Sequence, residues 1–387
     1  MRFVNNDIIS LGSKHLISYP TPSSLNYLWS FGSTAGLVLV IQVLSGILLA
    51  MRYSPEVLLA FNSVEYIMRD ISTGWMIRYF HSGGAATFFI IVYIHIGRAL
   101  YFRSYRKIVL WYSGLVMFLV MMASAFLGYV LPWGQMSLWG ATVITNLFGS
   151  IPVIGSSIVI WLWGGFSVEE PTLKRFFVLH FILPMLLLAL SIVHILLLHE
   201  QGSTNPFGFC GKLDSVRFYP KFVSKDIFGF FLIVGILILI TVFLAPNALG
   251  EPDNYIKADS LVTPVKIVPE FYFLMFYAIL RAIPNKLGGV VAMFFAIKIL
   301  FWLPFLGSFK CSNPRMLEVS QLIFWFFIVN VFLLVYLGSC AVEEPFIIIS
   351  QLASSFYFLY FIFIIPCLSI IEERAMKLCY WSCIKFF

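Results

Sequence analysis

Long apolar runs separated by short polar segments dominate the chain. A transmembrane helix needs about 20 consecutive apolar residues, and eight runs reach that length, with Lys298 the only charged residue inside any of them. The pattern therefore predicts an all-α, polytopic membrane protein with eight transmembrane helices. The eight runs are residues 31–51, 79–97, 108–131, 176–199, 227–249, 287–307, 319–342 and 346–371.

A ninth apolar run, residues 141–168, differs from the others because helix-breaking residues interrupt it. Gly149, Pro152, Gly155 and Gly164 follow one another at short intervals. Breakers this frequent are typical of short surface helices rather than of a span. We therefore expect this run to lie outside the membrane.

Composition agrees with the membrane prediction. Of 387 residues, 60% are hydrophobic and 11% charged, and the mean hydropathy is +0.94. A soluble domain carries about 25% charged residues, so this class is excluded. The net charge of +7 concerns topology and the lipid bilayer rather than nucleic acid, because no basic cluster with interleaved aromatic residues lies outside the runs. Lys and Arg concentrate in the loops on the side of the two termini, which predicts that both termini face the inner side.

Two pairs of histidines share one spacing. His95 follows His81 by fourteen positions in the second run, and His194 follows His180 by the same interval in the fourth. This spacing puts both members of a pair on one helix face, about 21 Å apart along the axis. The two helices run in the same direction, so His81 should face His180 near the outer side, and His95 should face His194 near the inner side. Two facing imidazoles suit the axial positions of a haem iron. A single buried histidine can also be an ordinary hydrogen-bonded core residue.

Glycines and arginines are predicted at the same two depths in the membrane as the histidines. The first run has Gly32 and Gly46, and the third has Gly114 and Gly128, and both glycine pairs have the spacing of the histidines. Gly permits the close backbone approach that a flat macrocycle between helices requires, although small residues also serve ordinary helix packing. Gly32 and Gly114 fall at the inner level, and Gly46 and Gly128 at the outer level. Arg78 and Arg98 each lie three positions from a histidine and could bind haem propionates or anchor the helix at the membrane surface.

Four longer motifs contain or accompany these residues. They are RYFHSGGAATFFIIVYIHIGRALYF at 78–102, AFLGYVLPWGQMSLWGATVITNL at 125–147, TLKRFFVLHFILP at 172–184 and VTPVKIVPEFYFLMFYAILRAIPNKLGGV at 262–290. By these motifs and the two spacings, the chain resembles the cytochrome b family of the quinol:cytochrome c oxidoreductase over roughly residues 20–380.

The resemblance implies a di-haem four-helix domain over residues 1–205 and a second four-helix domain over residues 206–387. It implies two non-covalent b haems, held by His81 with His180 and by His95 with His194. It also implies ubiquinol oxidation at an outer site and ubiquinone reduction at an inner site. One electron would leave through a Rieske-type iron–sulfur protein and the other would pass through the two haems. A cytochrome c1-type subunit, other complex III subunits, a homodimeric complex and the mitochondrial inner membrane are also implied, ahead of a bacterial plasma membrane.

The outer quinol site needs a proton acceptor in an apolar pocket. Glu270 precedes the apolar run FYFLMFYAIL, a setting that raises a carboxyl pKa and favours proton transfer. Tyr272 and Tyr129 could hydrogen-bond a quinol or a water molecule. Phe271 stands where the family usually has Trp. Without the resemblance, Glu270 would be interpreted as a surface residue beside a loop anchor. Gly140 is implied to belong to short helices that cover this site.

The inner site must donate protons to a reduced quinone. His199 ends the fourth run and Asp226 begins the fifth, and a His–Asp pair at the interface suits that task. Asp226 could also be a helix N-cap. Ser33 and Lys225 are implied to assist the site.

Two other functions stay open from the sequence. Another di-haem membrane oxidoreductase could share the histidine spacing but would lack the loop around Glu270. A haem-free transporter would account for the many spans and Lys298, but for neither the histidine spacing nor the glycine spacing.

Overall fold

Eight helices long and apolar enough to cross a membrane confirm the predicted number of spans among the residues that the structure describes. The computed structural model describes Ser13 and residues 17–208, 214–307 and 318–385, with side chains through residue 375. The spanning helices are α1 (Phe31–Ala50), α3 (Gly74–Tyr101), α4 (Ile108–Val130), α7 (Glu170–Gln201), α8 (Lys221–Leu244), α10 (Lys286–Leu306), α11 (Glu318–Ser339) and α12 (Phe346–Ala375).

Shorter helices connect the spans. The run at residues 141–168 is not a span, as predicted, because its Gly and Pro residues separate two short helices. The connecting helices are α2 (Ala60–Arg69), α5 (Gln135–Asn146), α6 (Gly155–Trp163) and α9 (Leu274–Ala282). Pro171 is the second residue of α7, in the first turn, where a missing N–H costs nothing. The helix continues through Pro184.

The first four spans pack in pairs. Helix α1 packs along α3, helix α4 packs along α7, and α1 also contacts α7, so the four form a bundle. In the second half, α9 packs against α10, α11 and α12. Buried side chains from both halves, among them Phe89, Leu115, Ile279 and Leu334, belong to one hydrophobic core. The division into domains 1–205 and 206–387 stays a prediction.

A short two-stranded ribbon joins the segment before α1 to the segment before α8. Strand β1 (Pro20–Pro22) pairs antiparallel with β2 (Ser215–Arg217). A backbone N–H that leaves water needs a hydrogen-bond partner. The ribbon provides such partners between two segments of the chain, one before and one after the first four spans. The ribbon thereby fixes the first described segment of the chain against the start of α8.

A buried ion pair also links the two halves. Arg103, in the turn between α3 and α4, forms two hydrogen bonds of 2.6 and 2.5 Å with the Glu372 carboxylate of α12. Both side chains are only 5% exposed. The Ser320 hydroxyl donates a further hydrogen bond of 2.7 Å to Glu372. The carboxylate is thus neutralised and hydrogen-bonded, which a buried charge requires.

Candidate functional site

The four intramembrane histidines form two facing pairs inside the bundle. The ring centres of His81 and His180 lie 6.0 Å apart, and those of His95 and His194 lie 6.5 Å apart. Two imidazoles that share one metal ion through bonds of about 2.0–2.1 Å have ring centres about 6 Å apart. Each pair offers two ligands, which suits an iron that brings its other ligands in a macrocycle.

Nδ1 has a hydrogen-bond partner in three of these rings. Nδ1 of His180 lies 2.8 Å from the Ser124 carbonyl, which can only accept, so Nδ1 carries the proton and Nε2 keeps the lone pair that a metal needs. The Ser45 hydroxyl lies 3.0 Å from Nδ1 of His81, and the Ser113 hydroxyl lies 2.7 Å from Nδ1 of His194. Each hydroxyl can also donate to a carbonyl of its own helix, which leaves its oxygen to accept from Nδ1.

His95 has a different partner. An Nη atom of Arg98 donates to Nδ1 of His95 at 3.1 Å, so here Nδ1 accepts. The guanidinium also lies over the Trp29 ring, 5.4 Å from its centre. Its Nε is buried and has no hydrogen-bond partner among the described residues. A cation with an unused buried donor at the end of the bundle suits an anionic group.

Each of the four predicted glycines faces one of these imidazoles across the bundle. A Cβ atom would lie 3.1 Å from Cε1 of the facing ring at Gly32, 2.9 Å at Gly46 and 3.3 Å at Gly114. At Gly128 it would overlap the ring. A side chain at these positions would displace a histidine. In chain order, Gly32, Gly46, Gly114 and Gly128 face His95, His81, His194 and His180.

One cavity of about 280 Å³ joins the outer histidine pair to the predicted quinol residues. His81, His180 and Glu270 all line it. The loop before α9 therefore places its carboxyl beside the outer level of the bundle. The remaining predicted residues that line this cavity are Gly46, Gly128, Arg78, Tyr129 and Tyr272.

The surroundings of Glu270 raise its pKa to about 7. Burial makes the largest contribution, because it disfavours the charged carboxylate, and the nearby negative charge of Glu251 adds to it. The nearby Tyr129 hydroxyl and the positive charge of Arg78 oppose the rise. A carboxyl with this pKa can both accept and release a proton near neutral pH.

Tyr272 is held against α3 between the two histidine levels. Its ring stacks on Phe89 with ring centres 4.0 Å apart and planes 4° from parallel. The Tyr93 hydroxyl donates a hydrogen bond of 2.5 Å to the Tyr272 carbonyl. Burial, followed by the Glu270 charge, raises the pKa of Tyr272 well above its ordinary value, so its hydroxyl stays protonated.

The predicted inner residues gather around the segment that precedes α1. The Ser33 hydroxyl donates to the Asp226 carboxylate at 2.8 Å. The His199 ring stacks on Tyr19, with ring centres 4.1 Å apart. Asp226 is the sixth residue of α8, which begins at Lys221, so the alternative that it caps this helix is wrong.

Lys225 contacts the segment before α1, and Gly140 lies in one of the short helices between spans. The Lys225 ammonium donates to the Leu25 carbonyl at 2.7 Å and lies over the Tyr27 ring. It thus binds the segment before α1. Gly140 lies in α5, where a Cβ would meet no atom within 4 Å. No close approach requires glycine there.

Ser45 and Ser113 were missed from the sequence, although a signal was present. Each directly precedes one of the paired glycines, so Ser-Gly occurs at the outer level of α1 and at the inner level of α4. Tyr19 carried no signal, since it lies outside the spans and far along the chain from His199.

Comparisons with known proteins agree with this geometry. Residues 16–202 match the family described as Cytochrome b/b6/petB, and residues 257–358 match Cytochrome b(C-terminal)/b6/petD. The cytochrome b of Chondrus crispus is 52% identical over 97% of this chain and 99% of its own length. That of Rhodospirillum rubrum is 52% identical over 95% of this chain and 91% of its own.

A solved structure has the same fold. It is a chain of a "Hyperthermophilic respiratory Complex III", with a TM-score of 0.89 and 30% sequence identity. The likeness covers 95% of this chain and 98% of that one. On the family matches and the identity over nearly its whole length, the chain belongs to the cytochrome b family.

Proposed function

We propose that the chain is the electron-transfer subunit of a quinol:cytochrome c oxidoreductase and carries two non-covalent b haems. One observation supports this above all. At each of two depths of one bundle, two histidines face each other, and a glycine lies opposite each ring. His81 and His180 would hold the outer haem, and His95 and His194 the inner one. When bound, the haems supply one-electron transfer between the two levels.

The protein's own contribution to the haems is orientation and charge. His180 is already set with Nε2 free, and the serine oxygens beside His81 and His194 can accept from Nδ1 and so leave Nε2 free there as well. His95 can ligate through Nε2 only when the proton sits on Nδ1, so the contact from Arg98 to Nδ1 has to break on binding. The released guanidinium can then bind a propionate carboxylate. Arg78, beside the outer pair, would do the same there.

At the outer site, Glu270 would accept a proton from a quinol hydroxyl. The shared cavity supports this role, because it places the carboxyl and the outer histidine pair around one space. Oxidation of one quinol releases two protons and two electrons. The Tyr129 hydroxyl would orient the quinol or a water molecule, and Tyr272 would shape the wall against α3.

At the inner site, His199 and Asp226 would donate the two protons that a doubly reduced quinone takes up. His199 contacts Tyr19 in the segment before α1, and Asp226 contacts Ser33 in the first turn of α1, which supports this pairing. Ser33 orients the Asp226 carboxylate. Release of protons outside and uptake inside would build a proton gradient.

The partners and the location follow from the same proposal. A Rieske-type iron–sulfur protein, a cytochrome c1-type subunit and a second copy of the complex would complete the enzyme. The likeness to a chain of a respiratory Complex III supports a multi-subunit assembly. The distribution of Lys and Arg supports termini on the inner side, which is the matrix side if the membrane is the mitochondrial inner membrane.

A reduced-minus-oxidised spectrum of isolated membranes tests the proposal. His194→Leu should remove one of two b-haem absorbance bands and leave the other. Persistence of both bands would contradict the ligand assignment, and a wild-type chain without any b-haem signal would favour a transporter. Glu270→Gln should strongly lower quinol:cytochrome c reductase activity, and full activity would exclude its catalytic role. Another di-haem oxidoreductase would show both bands but no reduction of cytochrome c.

A further inference from the structure

Tyr19 covers one face of the His199 imidazole. The two rings are stacked, with centres 4.1 Å apart and planes 23° from parallel. The Tyr19 hydroxyl lies 3.4 Å from the Leu198 carbonyl, at the long limit for a hydrogen bond. The contact therefore depends on ring stacking more than on the hydroxyl.

The backbone of Tyr19 is fixed independently of its side chain. Its carbonyl accepts a hydrogen bond of 3.0 Å from the Phe218 N–H, and the Ile17 carbonyl accepts one of 3.2 Å from the Tyr219 N–H. Strand β1 begins at the next residue, Pro20. The ribbon thus holds the tyrosine at the inner end of α7, which carries His199.

The segment that contains Tyr19 also holds the other predicted proton donor. The Lys221 ammonium donates to the Ser23 carbonyl at 2.9 Å, and Ser33 donates to Asp226 at 2.8 Å. Residues 17–33 therefore contact α7 at one end and α8 at the other. His199 and Asp226, from different halves of the chain, take their relative positions from this one segment.

We infer that Tyr19 is a positioning residue of the inner quinone site, an inference that rests on the proposed role of His199. The stacking fixes the plane of the imidazole relative to the ribbon. Stacking between aromatic rings also restricts rotation of the histidine side chain. Misplacement of a reacting group by about 1 Å can cost about 100-fold in rate. Tyr19 thus acts on the rate of proton delivery through His199.

Reoxidation of reduced b haems by a short-chain ubiquinone measures this step directly. The experiment uses membranes with the assembled complex and a Glu270→Gln background, which blocks the outer site. The rate at saturating quinone and the half-saturating concentration are measured separately. Tyr19→Leu should lower the saturated rate about tenfold, with a change of less than about threefold in the half-saturating concentration. Tyr19→Phe, which keeps the ring, should restore the saturated rate to within about threefold of wild type.

Two further variants identify the source of any effect. Phe218→Leu removes a ring from the same ribbon but leaves the backbone hydrogen bond to Tyr19, and should match wild type. A wild-type rate in Tyr19→Leu, an equal loss in Tyr19→Phe, or an equal loss in Phe218→Leu would each overturn the inference. If Tyr19→Leu does not assemble, as judged by haem content, Tyr19→Met replaces it. His199→Leu should stop reoxidation, and unchanged reoxidation in this variant would overturn the proposed inner site itself.

Discussion

The hydroxyl oxygen of Ser113 lies 2.7 Å from Nδ1 of His194, while its proton is donated to the Leu110 carbonyl. With its proton on that carbonyl, the oxygen accepts from Nδ1 and leaves Nε2 of His194 to bind a metal. Loss of such a partner of a ligating histidine lowers metal affinity about 10–100-fold. We expect Ser113→Ala to lose the inner haem on dilution or detergent washing before the outer one. Haem content and reduced-minus-oxidised spectra measure this loss.

Ser191→Ala is the matched control for this variant. Ser191 lies on α7 close to His194, but its hydroxyl donates to the Leu188 carbonyl of its own helix. We expect both haems to be retained. Equal haem loss in the two serine variants would contradict the role given to Ser113.

Gly128→Ala should disrupt the outer haem level. The new Cβ would overlap the His180 ring. The hydrogen bond between Nδ1 of this ring and the Ser124 carbonyl opposes any movement of the ring away from the Cβ. We expect the outer b-haem band to fall by more than half and the inner band to remain. Gly36→Ala makes the same chemical change in α1, where a Cβ meets no atom within 4 Å, and should leave both bands intact.

The outer reaction should depend on the ionisation of Glu270. A proton acceptor works in its deprotonated form, and the pKa of this carboxyl is about 7. The rate of quinol oxidation should therefore fall about tenfold per pH unit below pH 7 and level off above it. Glu251→Gln removes a negative charge that raises this pKa, so the midpoint should move to lower pH. A midpoint that stays in place or rises in Glu251→Gln would contradict this electrostatic account.

Removal of one partner of the Arg103–Glu372 pair should destabilise the chain. A buried charge that loses its counter-ion costs about 3–5 kcal/mol, so Arg103→Met, which removes the guanidinium from the Glu372 carboxylate, should lower the temperature at which the b-haem signal is lost. Arg103→Met with Glu372→Leu leaves no charge unpaired and should recover much of the loss. Arg69→Gln breaks an ion pair in which the arginine is 77% exposed and should change the temperature little. A loss of thermal stability in the double variant equal to the sum of the losses in the two single variants would contradict this account of the ion pair.

The arrangement of His81, His95, His180 and His194 could be predicted because it follows from helix geometry alone. The spacing within each pair sets the face and the depth, and the number of intervening spans sets the direction. The depths of the four glycines could be predicted from the same spacing. The predicted helix ends were less accurate, as at α8, where the helix begins at Lys221 and so extends beyond the charge-free run.

Contacts between distant segments could not be predicted. The Lys225 ammonium finds its hydrogen-bond partner only because the segment around Leu25 lies beside it, and no pattern in the sequence brings the two together. Arg103 and Glu372 are likewise far apart in the chain, one after the second span and the other near the end of the last. Their pairing follows from the packing of the two halves, which periodicity within one helix does not encode.

The β1–β2 ribbon has a consequence for the order in which the chain matures. Strand β1 leaves the ribosome before the first four spans, and β2 and α8 are made only after those spans have been synthesised. Until then Tyr19 has no ribbon partner, and Ser33 has no Asp226 to bind. Both histidine-bearing helices are complete before that moment. On the proposed function, biogenesis can therefore load the bundle with cofactor first and close the inner quinone site afterwards.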